Sequence, residues 1–330
     1  MSEKRSFAER FIPQKTDSTG EIIRKISVIL VIFLLLFAAG FVAYQEYQEL
    51  KAERVNKELA EQYESAVVIT TAETTQTEPP ETEPETTVTE PEPLVVLPKF
   101  EEFIKENPDT AGWITVPGTK INNIVVQTTD NYYYLDRDFY GNKSQPGTVM
   151  ADFRAHFNDY DFNQCDNIIL YGHNQASGEM FGTLKNYKIT KQNTSNFSFY
   201  KEHPTFTFSS LYEEYEYKII ACFVIEVEPY QTRDGQIFDY HNYIVFNNNE
   251  WKYSTFIENV MERTAINTGV DYNEDDKFLT LSTCSNEFEP SRFVVIGRRV
   301  RDGEDPTVDT SLATLNEDAK EPDWSYIYGK

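Results

Sequence analysis

Thr280-Leu281-Ser282-Thr283-Cys284, followed across a short polar segment by Arg292-Phe293-Val294-Val295-Ile296-Gly297, decides the reading of this chain. Both runs read as strands, and the segment between them, which contains Asn286 and Pro290, reads as a hairpin-type connection. Alternation puts Phe278, Thr280, Ser282 and Cys284 on one face and Leu279, Leu281 and Thr283 on the other. An antiparallel return brings Arg292 back near Cys284. A thiol beside a fixed guanidinium is a candidate nucleophile with its own charge stabiliser. Such chemistry also needs a proton carrier. His173, in Tyr171-Gly172-His173-Asn174, follows the apolar run Ile168-Ile169-Leu170 and a glycine, the setting of an exposed residue at a strand end. The other histidines fit less well. His156 and His241 lie in polar, tyrosine-rich stretches, and His203 precedes Pro204.

Together with Asn167-Ile168-Ile169-Leu170-Tyr171-Gly172-His173-Asn174 and Met180-Phe181-Gly182, these segments resemble a class B sortase, a cysteine transpeptidase of Gram-positive bacteria, over roughly residues 98–301. The stretches 132–139 and 199–204 look like further family segments. The resemblance implies a mainly β fold with flanking helices: the sortase-type β-barrel, with a helix over 249–265 as the long crossover of class B. It implies Cys284 as the nucleophile. His173 is then the general acid for the leaving amine and the general base for the incoming one. Arg292 donates hydrogen bonds to the oxyanion and the substrate carbonyl. The resemblance places Asn131 and Leu135 in the substrate groove. Ser282 shares the face of Cys284 and is a candidate to hydrogen-bond the substrate, beside the equal reading of an ordinary strand serine.

The substrates so implied are secreted proteins bearing a C-terminal sorting motif of the Asn-Pro-x-Thr-x type, cleaved after Thr. The acceptor is a cell-wall amine on lipid-linked peptidoglycan precursor. Two rival readings stand beside this one. In a papain-like cell-wall peptidase the Cys usually precedes the His, whereas His173 precedes Cys284. A catalytically inactive sortase-like surface scaffold is disfavoured by the intact His, Cys and Arg.

The 330-residue chain has a formal net charge of −24, which argues against a nucleic-acid partner. More than half of that charge lies in two acidic stretches, 65–97 and 302–330, both expected to be solvated chain. Arg298, Arg299 and Arg301 are likewise expected to be solvated. No HExxH, paired CxxC or EF-hand spacing is present, and no glycine-rich phosphate loop, so neither metal nor cofactor is expected. Three cysteines, Cys165, Cys222 and Cys284, show no zinc spacing. The first two lie in or beside apolar runs and are expected as buried thiols rather than a disulfide.

Residues 26–45 hold no charged side chain and are long enough to cross a bilayer as a helix. Arg24 and Lys25 at the leading edge put the N-terminus, residues 1–25, in the cytoplasm and the catalytic domain outside the cell membrane. A cleaved signal peptide is the competing reading, but the apolar run is long for one. Residues 46–64 read as a helical stalk, 65–97 as an extended Thr/Glu/Pro-rich spacer, 98–301 as the catalytic domain and 302–330 as an acidic tail. An apolar stripe of Trp251, Phe256, Ile257, Val260 and Met261 is expected to pack the crossover helix on the sheet.

Overall fold

The computed structural model describes residues 11–74, 94–158, 165–246 and 249–329, with side chains of 69–74 outside that description. The expectations for residues 1–10 of the N-terminal segment and 75–93 of the spacer lie outside the described residues. The chain divides into two units, Met1–Lys51 and Ala52–Lys330.

In the first unit helix α1 (Thr19–Thr74) begins after Asp17, which pairs with Lys25 at 2.7 Å. Its apolar side chains from Leu30 to Phe37 are exposed. Among the described residues one helix is long and apolar enough to cross a membrane, and it is this one.

In the second unit, eight of the described strands close a barrel. They are β1 (Thr110–Thr115), β2 (Asn122–Val126), β3 (Met150–Ala151), β4 (Asn167–Tyr171), β5 (Thr205–Ser210), β6 (Glu214–Glu226), β8 (Phe278–Cys284) and β9 (Ser291–Arg299), in the order β1-β2-β3-β4-β8-β9-β6-β5. Closure leaves no sheet edge. Most neighbours run antiparallel, but β2–β3 and β4–β8 are parallel. Strands β4, β8 and β9 are buried along nearly their whole length, so they read as apolar runs more than as strict alternations. Cys165 and Cys222 are buried free thiols, and burial pushes each up to about 12.

Helices flank the barrel before β1 and along its connections. The short α2 (Glu101–Glu106) buries Phe103. Helix α4 (Glu250–Arg263), which follows α3 (Phe197–Glu202) in the chain, is capped by the Asn249 side chain accepting from the Lys252 amide. Phe256, Ile257 and Val260 of α4 are buried, as the stripe requires, whereas Trp251 is 72% exposed and lies off the packed face. The part of α1 from Ala52 onward packs on the barrel. Leu59 and Tyr63 are buried in a cluster with Phe100, Phe103 and Trp113, and the Tyr63 ring stacks on Trp113 at 4.2 Å.

Two expectations for the C-terminal part are corrected. The acidic tail is not solvated chain. It pairs β10 (Thr314–Leu315) with β7 (Ile266–Asn267), buries Ala313 and Ala319, and ends in α5 (Trp324–Tyr328). Arg298 is not solvated either. It is fully buried and pairs with Glu304, which also accepts from Lys218 at 2.6 Å. The Arg298 guanidinium, first among these donors, holds the Glu304 carboxyl well below the usual range. Arg301 forks onto Asp276 and also reaches Asp271. Tail charge therefore neutralises buried strand charge, as burial demands.

Candidate active site

The site follows from two strand registers. β8 and β9 pair antiparallel with Cys284 opposite Arg292. β4 and β8 pair parallel with Tyr171 opposite Ser282. Two residues further on, His173 and Cys284 therefore leave the same end of the barrel, on strands about 4.8 Å apart. The connection from β8 to β9 turns at Asn286, whose φ of 66° is a left-handed value that Asn tolerates better than most residues.

Side-chain bonds carry the β4–β8 contact past the strand ends. Thr283 Oγ1 donates to the Gly172 carbonyl at 2.7 Å, and Asn174 Nδ2 donates to the Cys284 carbonyl at 2.8 Å. Gly172 is required here because a Cβ would lie 2.7 Å from the Phe181 ring. His173 is half-buried, and its Nε2 lies 2.8 Å from the Leu135 carbonyl oxygen. A carbonyl only accepts, so Nε2 donates this bond. Arg292 spends one guanidinium nitrogen on the Ser291 carbonyl at 3.0 Å.

A cavity of about 430 Å³ takes in Cys284, His173 and Arg292 together with Ser282, Asn131 and Leu135. All six candidates from the sequence thus meet in one place, though not all in the same manner. Ser282 is buried, and its hydroxyl lies 2.6 Å from that of Tyr240. Leu135 presents its side chain at 40% exposure while its carbonyl anchors His173. Asn131 donates to Asp152 at 3.1 Å and accepts from the Phe153 amide at 3.0 Å.

The sequence reading passed over several groups around the cavity. Asp152 is fully buried and gathers Asn131, Tyr171 (2.7 Å to the phenol) and Arg154. Burial works to raise this carboxyl, but the bonds from Arg154 and Tyr171 outweigh it and hold the group at about 2. Tyr240 is buried, and burial pushes its phenol up to about 12 against the lowering effect of the Ser282 bond. His241 lines the cavity, holds Asp239 through Nδ1 at 2.7 Å, and stacks on Tyr240 at 4.1 Å. Tyr240 and His241 lie on the β6–β7 connection, where no periodicity marks them. Among the described residues no group of three or more His, Cys, Asp or Glu is placed to hold a metal ion. What the arrangement offers is a thiol, a histidine and an arginine around one cleft, which suits acyl transfer through a covalent intermediate.

Comparison with known proteins agrees. The family model of the sortase domain matches residues 114–300, more than half of the chain. Sortase B of Staphylococcus aureus is 28% identical over 279 residues, which cover 84% of this chain and 96% of that protein. Sortase B of Listeria monocytogenes is 29% identical over 209 residues, 62% of this chain and 75% of that one. A crystal structure of the S. aureus enzyme complexed with MTSET superposes with a TM-score of 0.57 at 26% identity, covering 76% of this chain and 90% of that one. A Bacillus anthracis sortase B structure shares the fold with a TM-score of 0.57 over 77% of this chain and 99% of its own, at 24% identity. With the barrel and its terminal cleft, these matches place the chain in the sortase family, as a class B sortase and hence a cysteine transpeptidase.

Proposed function

We propose that this protein is a membrane-anchored transpeptidase that cleaves a sorting motif after Thr near the C-terminus of secreted proteins. It then passes the acyl group to an amine of a lipid-linked cell-wall precursor. The observation that carries the reading is the register placing Cys284 opposite Arg292 and level with His173. In the first step the Cys284 sulfur adds to the Thr carbonyl carbon, its proton passes to His173, and Arg292 donates hydrogen bonds to the oxyanion. Collapse of that intermediate breaks the peptide C–N bond, His173 gives a proton to the departing amine, and a thioester remains. The acceptor amine then attacks the thioester carbon. His173 takes the amine's proton and returns it to the Cys284 sulfur, which leaves as the new amide forms. Ser282, Asn131 and Leu135 bind the motif along the cavity. Arg24 and Lys25 before the apolar segment support an N-terminus in the cytoplasm and a catalytic domain outside.

Mass spectrometry of the whole chain with a library of Asn-Pro-Xaa-Thr-Xaa peptides tests this. An acid-stable adduct on Cys284 that added amine converts to a new amide is the expected result. Peptide cleavage by Cys284→Ala would sink it. An adduct that only water resolves, whatever cell-wall amine is supplied, would favour a peptidase.

A further inference from the structure

The family match ends at residue 300, yet the chain beyond it returns to the active-site end of the barrel. Its stretch 321–328 touches both loops that carry the cavity's functional groups. One is the 285–290 loop between Cys284 and Arg292. Phe288 of this loop is buried with its ring edge-on to Trp324 at 5.9 Å. Tyr328 donates its hydroxyl to the Glu287 carbonyl at 2.7 Å and stacks on Trp324. The other is the 227–242 loop that ends in Tyr240 and His241. Arg233 of this loop pairs with Asp323, donates to Ser325 at 3.1 Å, and covers the Tyr326 ring at 5.1 Å. Gln231 of the same loop donates to the Pro290 carbonyl, so the two loops also touch each other directly.

We propose that residues 321–328 are a brace, and that Trp324 and Tyr328 are positioning residues for the cysteine and arginine of the transpeptidation reaction. The inference rests on the function proposed above. A connecting loop is the part of a barrel most free to move. Here that loop separates the nucleophile from its oxyanion donor, so its motion would change the distance on which catalysis depends. Lys188 already ties the loop from inside, through the Ser285 carbonyl at 3.0 Å and the Glu287 carboxylate. The tail closes it from outside with an aromatic contact and a backbone hydrogen bond. It reaches the two loops from one short helix, so it couples the Cys–Arg pair to the wall formed by Tyr240 and His241. Its own anchorage lies elsewhere. β10 pairs with β7, and Asn316 donates to the Thr264 carbonyl at 2.9 Å.

The test compares the whole chain with Trp324→Ala, Trp324→Phe, Tyr328→Phe and Asn316→Ala, using steady-state cleavage of the best peptide from the library and hydrogen exchange. Trp324→Ala is expected to lower kcat by about tenfold with KM nearly unchanged, the signature of lost alignment rather than lost binding. Exchange should quicken in 285–290 and 227–242 but not in β6 and β9. Trp324→Phe should restore most of kcat. Tyr328→Phe, which removes one hydrogen bond and leaves the fold intact, should show a smaller fall of the same kind. Asn316→Ala should lower the melting temperature and leave kcat alone. A Trp324→Ala or Tyr328→Phe protein with wild-type kcat and wild-type exchange in 285–290 overturns the brace. So does a kcat loss that Asn316→Ala reproduces. These outcomes are separate from failure of the underlying reading, which would appear as turnover by Cys284→Ala whatever the tail variants do.

Discussion

Asp152→Asn keeps the shape of the side chain and removes one buried charge. In the folded protein Arg154, Tyr171 and Asn131 all converge on this carboxylate, and the group sits at about 2 instead of 3.8. At about 1.4 kcal/mol per tenfold change in proton affinity, that depression corresponds to roughly 2.5 kcal/mol. Arg154 is 41% exposed, so screening trims the figure to about 2 kcal/mol. The folded value lies below the unfolded one. The stabilisation is therefore complete above the unfolded value and fades as pH falls through the folded value. Urea unfolding of wild type and variant at pH 7, 5 and 3 reads this directly. The gap should be about 2 kcal/mol at pH 7 and 5 and about half that at pH 3. A gap that stays constant down to pH 3, or no gap at pH 7, would show that the carboxylate is not held by these partners. Asn131 and Tyr171 line the cavity, so KM for the peptide should rise in the same variant.

Three further outcomes follow from the geometry. Arg292→Lys should lower kcat about 10²- to 10³-fold, the usual scale for losing an oxyanion donor, because an ammonium cannot reproduce the planar fork. Its melting curve should be unchanged, and near wild-type turnover would move the oxyanion role to backbone amides. Tyr63→Ala removes the ring stacked on Trp113 and should cost about 3 kcal/mol of stability in urea unfolding. A negligible cost would mean that α1 beyond Ala52 only rests on the barrel. Arg298→Ala empties a fully buried position and leaves Glu304 with Lys218 as its remaining partner, and should cost about 2–5 kcal/mol, a loss that thermal unfolding would register at once.

The elements that were legible in the sequence are those whose signals are local. The β8–β9 hairpin announced itself through two strand-like runs on either side of a short polar turn, and α4 through Phe256, Ile257 and Val260 at helical spacing. Arg298 was misread because burial of a strand position depends on what covers it. The cover comes from Glu304, six residues further on, and from Asp271, and no strand periodicity brings either onto Arg298. The tail was misread for the related reason that its acidic composition matches that of solvated chain, while its contacts are with distant residues: Asp323 with Arg233, Trp324 with Phe288. Packing of α1 on the barrel had a signal that went unused. Ala52, Val55, Leu59 and Tyr63 fall three or four residues apart, and Ala52, Leu59 and Tyr63 are buried. The surrounding Glu and Lys made the stretch look like a free stalk. Tyr240 and His241 had no signal, since residues in an irregular connection reach the cavity only through the closure of the barrel.

The polar residues of Thr280-Leu281-Ser282-Thr283-Cys284 gain a physical reason from the same closure. Parallel pairing of β4 with β8 joins segments far apart in the chain, and a slip of one residue would turn every side chain to the opposite face. His173 and Cys284 would then no longer meet. Apolar contacts alone fix such a register weakly, because neighbouring apolar positions are nearly interchangeable. Directional bonds fix it. Thr280 Oγ1 donates to Asn167 Oδ1 at 2.9 Å at the buried start of β4, and Thr283 Oγ1 donates to the Gly172 carbonyl at its end. Ser282 between them meets Tyr240 on the β6–β7 connection. A slipped β8 would leave Asn167 and Thr280, both fully buried, without each other, and unpaired buried polar groups cost about 1–3 kcal/mol apiece. The motif is thus a nucleophile preceded by its own register lock, in which the Thr280 and Thr283 hydroxyls keep Cys284 level with His173.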